Sequence, residues 1–205
     1  WKTEKPFPST MVVGMTSVKQ TLANGKETVI DASSNQIFTS ISTTLNAMFS
    51  GNSQVLQNNF DVDFSFSGSD WKAVLLPKDN MVKKILQSLS ISGKAASDYA
   101  DLNTIVMSEA NGDSITYNFT NQKYPKELTA KMKKIILAVI SAFFLTVSAN
   151  AETFDSVCKN LSGRPNMTGN FSQVKTISAV GRSMKSSGTF IFSLDGIMWK
   201  TETPF

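Results

Sequence analysis

The sequence has no histidine and a single cysteine, Cys158, in 205 residues. The first absence removes the commonest general base and the commonest metal ligand, and the second removes any internal disulfide. Charge is scarce at 18%. Twenty Lys and Arg stand against 16 Asp and Glu, a net charge of +4, and Lys131, Lys133 and Lys134 carry most of that excess. The remainder is nearly neutral and shows no concentrated basic face of the kind a nucleic-acid binder needs. Gly-rich phosphate loops, nucleophile elbows and metal-ligand spacings are missing as well. Apolar material is plentiful: 41% of residues are hydrophobic, with 14 Phe, 9 Met and 3 Trp. That is enough for one ordinary globular domain with a core, and it excludes a disordered chain.

The order of segments is unusual. Residues 132–151 carry a basic start at Met132-Lys-Lys, an apolar run of thirteen residues from Ile135 to Val147, and small residues at Ala149 and Ala151. This layout reads as a secretory signal peptide. A buried core helix and a membrane span compete with it, but a helix of this length rises only about 20 Å against a hydrocarbon core of roughly 30 Å. A signal anchor, leaving Lys131 to Lys134 in the cytoplasm, is a further alternative. Leaders stand at N-termini, so Met132 reads as a start. The ends agree: Trp1 to Phe7 (WKTEKPF) and Trp199 to Phe205 (WKTETPF) match at six of seven positions. Laid head to tail, the chain becomes 132–205 followed by 8–130. Three segments result: 1–131, a leader at 132–151, and 152–205, with the first and last together forming one domain. The mature chain then begins near Glu152. Cys158 lies too far inside it for lipid attachment, and its default reading is a small buried apolar residue. If the written order stands instead, the two copies of the heptad compete for one strand position.

In the restored order, Glu152 to Leu161 places Phe154, Val157, Cys158 and Leu161 on one helical stripe, closed by Gly163 and Pro165. Period-two segments follow at Phe171 to Val180, Gly188 to Leu194 and Ile197 to Thr203, then at Ser9 to Met15 and Ser17 to Leu22. Asn24-Gly25 marks a hairpin before Glu27 to Asp31. Residues 34–49 form an amphipathic helix with Ile37, Ile41, Leu45, Met48 and Phe49 on one side and a stop at Gly51. A short helix covers Ser53 to Asn58. Phe60, Val62, Phe64 and Phe66 then alternate with Asp61, Asp63, Ser65 and Ser67, which predicts a strand with one dry and one wet face. Trp71 to Leu76, a strand through Leu89 and Ile91, and a hairpin across Asn111-Gly112 complete the set. So many strands do not stay flat. The expected fold is α+β: a strongly curved antiparallel sheet, an open and incomplete β-barrel, with amphipathic helices lidding its concave face.

Enzymatic chemistry has little to stand on. Asp61 and Asp63 would share one strand face as catalytic carboxylates might, but a solvated strand face explains them without catalysis. Asp98 and Asp101 fall in an expected loop. No catalytic residue, metal ligand or cofactor is assigned. The Phe and Met content, taken with a curved sheet and a polar-backed helix, points to a container for something greasy.

Gly188-Thr-Phe190, followed by Trp199-Lys-Thr-Glu and Lys5-Pro-Phe-Pro8, resembles the "G-x-F…W-x-x-x-x-P-F-P" strand pair of LolA-like outer-membrane lipoprotein carrier proteins. Gly169-Asn-Phe-Ser-Gln173 is similar to their "F-x-Q" first strand, and Leu75-Leu-Pro-Lys78 to their "L-x-P-K". The resemblance implies a periplasmic carrier that takes the acyl chains of lipoproteins into an apolar cavity and moves them towards the outer membrane. It also implies an inner-membrane release complex and an outer-membrane receptor as partners. Phe190, Phe192, Trp199, Met11, Val13, Phe64, Phe66, Trp71 and Leu75 are expected to line the cavity, with Ile37, Ile41, Leu45 and Met48 under the lid. The sequence departs from the family at Phe192-Ser-Leu-Asp-Gly196, where a lid-holding arginine is absent. A carrier of another amphiphile, such as a glycolipid, and a lipid-ester hydrolase are the alternatives.

Overall fold

The computed structural model describes residues 9–14, 17–31, 44, 46, 47, 50–126, 153–164, 166–193 and 196–203. The expected leader at 132–151, the first copy of the heptad, and Ile37, Ile41, Leu45 and Met48 lie outside the described residues.

Among the described residues, twelve strands form one antiparallel sheet that does not close. In chain order they are β1 (Ser9–Val13), β2 (Ser17–Leu22), β3 (Glu27–Asp31), β4 (Phe60–Ser67), β5 (Asp70–Pro77), β6 (Leu86–Ala96), β7 (Tyr99–Ala100), β8 (Thr104–Glu109), β9 (Ser114–Lys123), β10 (Asn166–Ile177), β11 (Arg182–Ser193) and β12 (Gly196–Thr203). Their order in the sheet is β3-β2-β1-β12-β11-β10-β9-β8-β6-β5-β4, with the short β7 paired to β6. Strands from both ends of the chain therefore share the sheet. Ser9 faces Thr201 and Val13 faces Ile197, so the two segments that the head-to-tail reading makes consecutive are hydrogen-bonded neighbours. Joined there, strand order in space follows chain order from β10 round to β3.

Alternation divides the sheet into an inner and an outer face. In β4 the aromatic and aliphatic residues turn inward and Asp61, Asp63, Ser65 and Ser67 are exposed, as the pattern predicts. Register carries that division across the sheet: Phe66 opposes Trp71, Val62 opposes Leu75, Leu75 opposes Leu89 and Ile91 opposes Ile105. Further round, Phe119 opposes Phe171, Phe190 opposes Trp199 and Trp199 opposes Met11. One core cluster joins these inward residues. The sheet curls inward. β9 and β12 are three strands apart, which in a flat sheet is about 14 Å, yet the Phe119 and Trp199 ring centroids are 5.8 Å apart and those of Tyr117 and Trp199 are 5.0 Å apart.

Among the described residues, three helices with both ends described accompany the sheet: α1 (Ser53–Asn59), α2 (Asn80–Lys83) and α3 (Phe154–Ser162). In α3 the expected stripe of Phe154, Val157, Cys158 and Leu161 is buried in the core. Thr153 and Ser156 close its first turn as a capping box, satisfying backbone N–H groups that have no partner within the helix. Of the segment expected to be helical at 34–49, Thr44, Asn46 and Ala47 are described as helical, and Thr44 and Ala47 are buried. Its end is close to expectation, with Asn52 N–H donating to the Ala47 carbonyl and Gly51 at positive φ.

Three local features differ from the sequence reading. Residues 178–180 form a 3-10 turn that ends at Gly181 in left-handed conformation, and β11 starts at Arg182 rather than near Gly188. β7 occupies part of the expected loop holding Asp98 and Asp101. Ile85 is exposed, and Leu86 takes the buried place beside a register shift between β6 and β8.

Candidate functional site: the apolar inner face

The inner face has a filled part and an open part. Phe119, Phe171, Phe190 and Phe192 are almost completely buried; the Phe119 and Phe190 rings meet edge-on with centroids 5.0 Å apart, those of Phe190 and Phe192 are tilted at 4.8 Å, and Phe171 is tilted against Tyr117 and Trp199. Trp71, Leu75 and Ile91 are equally buried under β4 to β6. Met11, Val62, Phe64, Phe66, Met107, Tyr117 and Trp199 also pack on the core but keep part of their surface in solvent.

The sequence-expected residues thus fall into three groups. Phe190, Phe192, Trp71 and Leu75 are on the inner face and buried, while Met11, Phe64, Phe66 and Trp199 are on the inner face and partly exposed. Val13 is described through its backbone alone, which pairs with Ile197 and with Val18. Tyr117, Phe119, Phe171 and Met107 share the same face and were not among the expected cavity residues. The i, i+2 spacing of Ile115, Tyr117 and Phe119 carries the signal that finds two of them.

Towards one end the inner face becomes polar. Gln173 and Lys175 follow Phe171 at strand spacing, Gln173 Oε1 accepts from Ser186 Oγ at 3.1 Å, and Lys175 Nζ lies 3.8 Å from Glu109 Oε1. Burial pushes the neighbouring Tyr117 phenol up to about 12.

A second polar cluster fastens α3 to the sheet. Arg164 Nη1 lies 2.7 Å from Asp101 Oδ1, and its guanidinium sits 4.2 Å from the ring centre of Tyr124 and 5.3 Å from that of Tyr99. Tyr124 Oη donates to the same carboxylate at 2.7 Å; burial first, and then that hydrogen bond, holds its phenol above the usual range. The Asp101 carbonyl accepts from Trp71 Nε1 at 3.1 Å, and Asn160 Nδ2 of α3 donates to the Ala96 carbonyl at 3.1 Å. Asp101, expected as a loop residue, is thereby tied to the end of α3, to β5 and to the chain after β9. Its loop position carries no such signal in the sequence.

The two aspartates weighed as catalytic are elsewhere. Asp61 and Asp63 lie on the outer face, exposed, with Lys78 Nζ 3.6 Å from Asp61 Oδ1. A shallow cavity of about 410 Å³ opens among Ser65, Ser67, Lys72, Ser92 and Thr104, most of whose side chains point to the outer face and offer hydroxyl groups rather than apolar surface. Among the described residues no cluster of acidic and cysteine side chains could hold a metal ion, and no helix is long and apolar enough to cross a membrane.

The chain matches no family model and no curated protein.

Proposed function

We propose that this chain is a non-enzymatic periplasmic carrier that binds acyl chains against the inner face of its sheet and moves lipoproteins, or a related lipid, towards the outer membrane. The observation that carries this reading is the set of inward apolar side chains, Met11, Val62, Phe64, Phe66, Met107 and Trp199, which keep part of their surface in solvent. Apolar side-chain surface left in water inside a curved sheet is unfavourable, and an apolar guest that covers it gains by its burial. The helices supply the rest. Thr44 of the expected lid segment is buried, and Ala47 and the stripe of α3 pack into the core, so an entering chain would compete with helix packing. Each acyl methylene is worth about 0.8 kcal/mol on transfer, roughly 10 kcal/mol for a dozen. A lid that must be displaced subtracts its own burial and leaves binding reversible. Placement of Asp61 and Asp63 on the opposite face supports binding rather than hydrolysis.

Native mass spectrometry of the protein purified from a bacterial periplasm tests this reading. The expected result is a bound species with the mass of an acylated molecule that organic extraction removes. The mass of the extract separates a lipoprotein acyl group from a glycolipid. Only unliganded protein, with no uptake of added acyl ester, contradicts the reading.

A further inference from the structure

We infer that the Trp199 indole N–H is a hydrogen-bond donor held for the ligand, and that the ligand class is an acyl chain bringing its ester or amide carbonyl into the hollow rather than a bare hydrocarbon. This rests on the carrier reading and narrows it.

Among the described residues, two tryptophans share the inner face. Trp71 is 1% exposed and its Nε1 donates to the Asp101 carbonyl at 3.1 Å. Trp199 keeps part of its ring surface in solvent, yet its Nε1 is buried and has no hydrogen-bond partner. Buried donors are nearly always paired, since one withdrawn from water without an acceptor loses a bond and gains none. The tryptophan whose role is packing has its acceptor within the protein, and the one beside the open part of the face lacks it.

What surrounds Trp199 narrows the chemistry. Tyr117 and Phe119 stand edge-on to it with ring centroids at 5.0 Å and 5.8 Å, and Phe171 and Phe192 are tilted against it at 5.0 Å and 5.5 Å. Aromatic faces accept N–H groups only weakly. The polar residues further along this face are engaged with one another, Gln173 with Ser186 and Lys175 with Glu109. A carboxylate placed among these rings would surrender its hydration for one neutral donor, which is unfavourable. A neutral carbonyl needs one good donor and tolerates aromatic walls. Ester-linked and amide-linked acyl chains carry that group at the head of an apolar tail, where Met11 and Trp199 lie side by side across β1 and β12.

The test uses the full chain with two probes of equal length delivered from cyclodextrin: methyl palmitate, and a terminal alkene with no acceptor. Binding of each is measured to the unaltered protein and to Trp199→Phe, which keeps an aromatic ring and removes the donor. The expected result is a preference for the ester of about two- to tenfold, the range of one neutral hydrogen bond, that disappears in Trp199→Phe while both probes still bind. The side-chain N–H resonance of Trp199 in nitrogen-labelled protein provides a readout independent of the variant's folding, with a downfield shift expected on adding the ester and not the alkene. Equal binding of the two probes to unaltered protein, or an ester preference that survives in Trp199→Phe, overturns the inference and leaves the carrier reading standing. Failure of both probes to bind overturns the carrier reading and this inference together.

Discussion

At the residue scale, burial gives Cys158 and Tyr117 testable properties. Burial, and to a lesser degree the Asp155 charge, pushes the Cys158 thiol from its ordinary 9.0 up to about 12, and burial takes the Tyr117 phenol from 10.0 up to about 12. In both cases the unfolded chain loses its proton first. Their contribution to stability is therefore fully present below about pH 9 and is lost as pH rises towards 12. The measurement is urea denaturation across that window: the unaltered protein is expected to lose stability from about pH 9, and Cys158→Ala to remove the earlier part of the loss. An unchanged slope in the variant contradicts the assignment. Gly188 makes a harder demand. A Cβ there would lie 1.9 Å from the Lys200 carbonyl oxygen and 2.9 Å from the Phe171 ring, so the strand pair β11–β12 has to move apart. Gly188→Ala is expected to cost about 3 kcal/mol, the upper end of overpacking, read from the urea midpoint; a change under about 0.5 kcal/mol means that the pair does not approach so closely. The same glycine opens the motif that carries the family resemblance, so its chemistry has a local structural cause as well.

At the element scale, α3 is the clearest case of sequence legibility. Its stripe, its buried face and its closure near Gly163 follow from spacing alone, because a helix with one wet side cannot hide its period. β4 is legible for the matching reason in strands. What escaped notice has equally physical causes. α2 is a single turn whose Asp79 side chain accepts from the Met81 and Val82 N–H groups, and one turn has no periodicity to read. The first half of β11, Arg182 to Ser187, is polar apart from Met184 and has no alternation of apolar residues; pairing with β10 holds it as a strand, and pairing partners are not written in a local window. The Arg164 cluster was invisible because its members come from four separate stretches. It gives a prediction at this scale: Arg164→Ala removes an ion pair and two ring contacts of a side chain that is about a quarter exposed. The expected effect is a loss of about 1 kcal/mol with faster amide exchange concentrated in α3. Exchange that accelerates evenly over the whole sheet contradicts a fastening role.

At the scale of the whole molecule, strand order decides which segments of the chain are neighbours. β12 and β1 pair in antiparallel register with Ser9 opposite Thr201, so a chain that runs from Phe205 into Pro8 and opens before Glu152 needs no strand to move. Chain ends that lie close together make such a rearrangement tolerable in general, and here the described strands nearest the two ends, β1 and β12, are paired. A permuted chain of residues 152–205 followed by 8–126 is expected to give the far-ultraviolet spectrum and cooperative unfolding of a folded antiparallel sheet; a chain that stays unfolded contradicts the proposed order. The concave arrangement itself was legible from strand number and alternation. Which inward residues stay open was not, because openness depends on how far the sheet curls and how the rings of Phe119, Phe171, Phe190 and Phe192 nest. The most direct measurement of the central claim is a titration of the protein, carrying isotope-labelled methionine methyl groups, with methyl palmitate. Met11 and Met107, partly exposed on the inner face, are expected to shift and saturate together, whereas Met81 on α2 and Met198 on the outer face stay where they are. No saturable shift at Met11 and Met107, or shifts confined to Met81 and Met198, would contradict the claim that the inner face receives the chain.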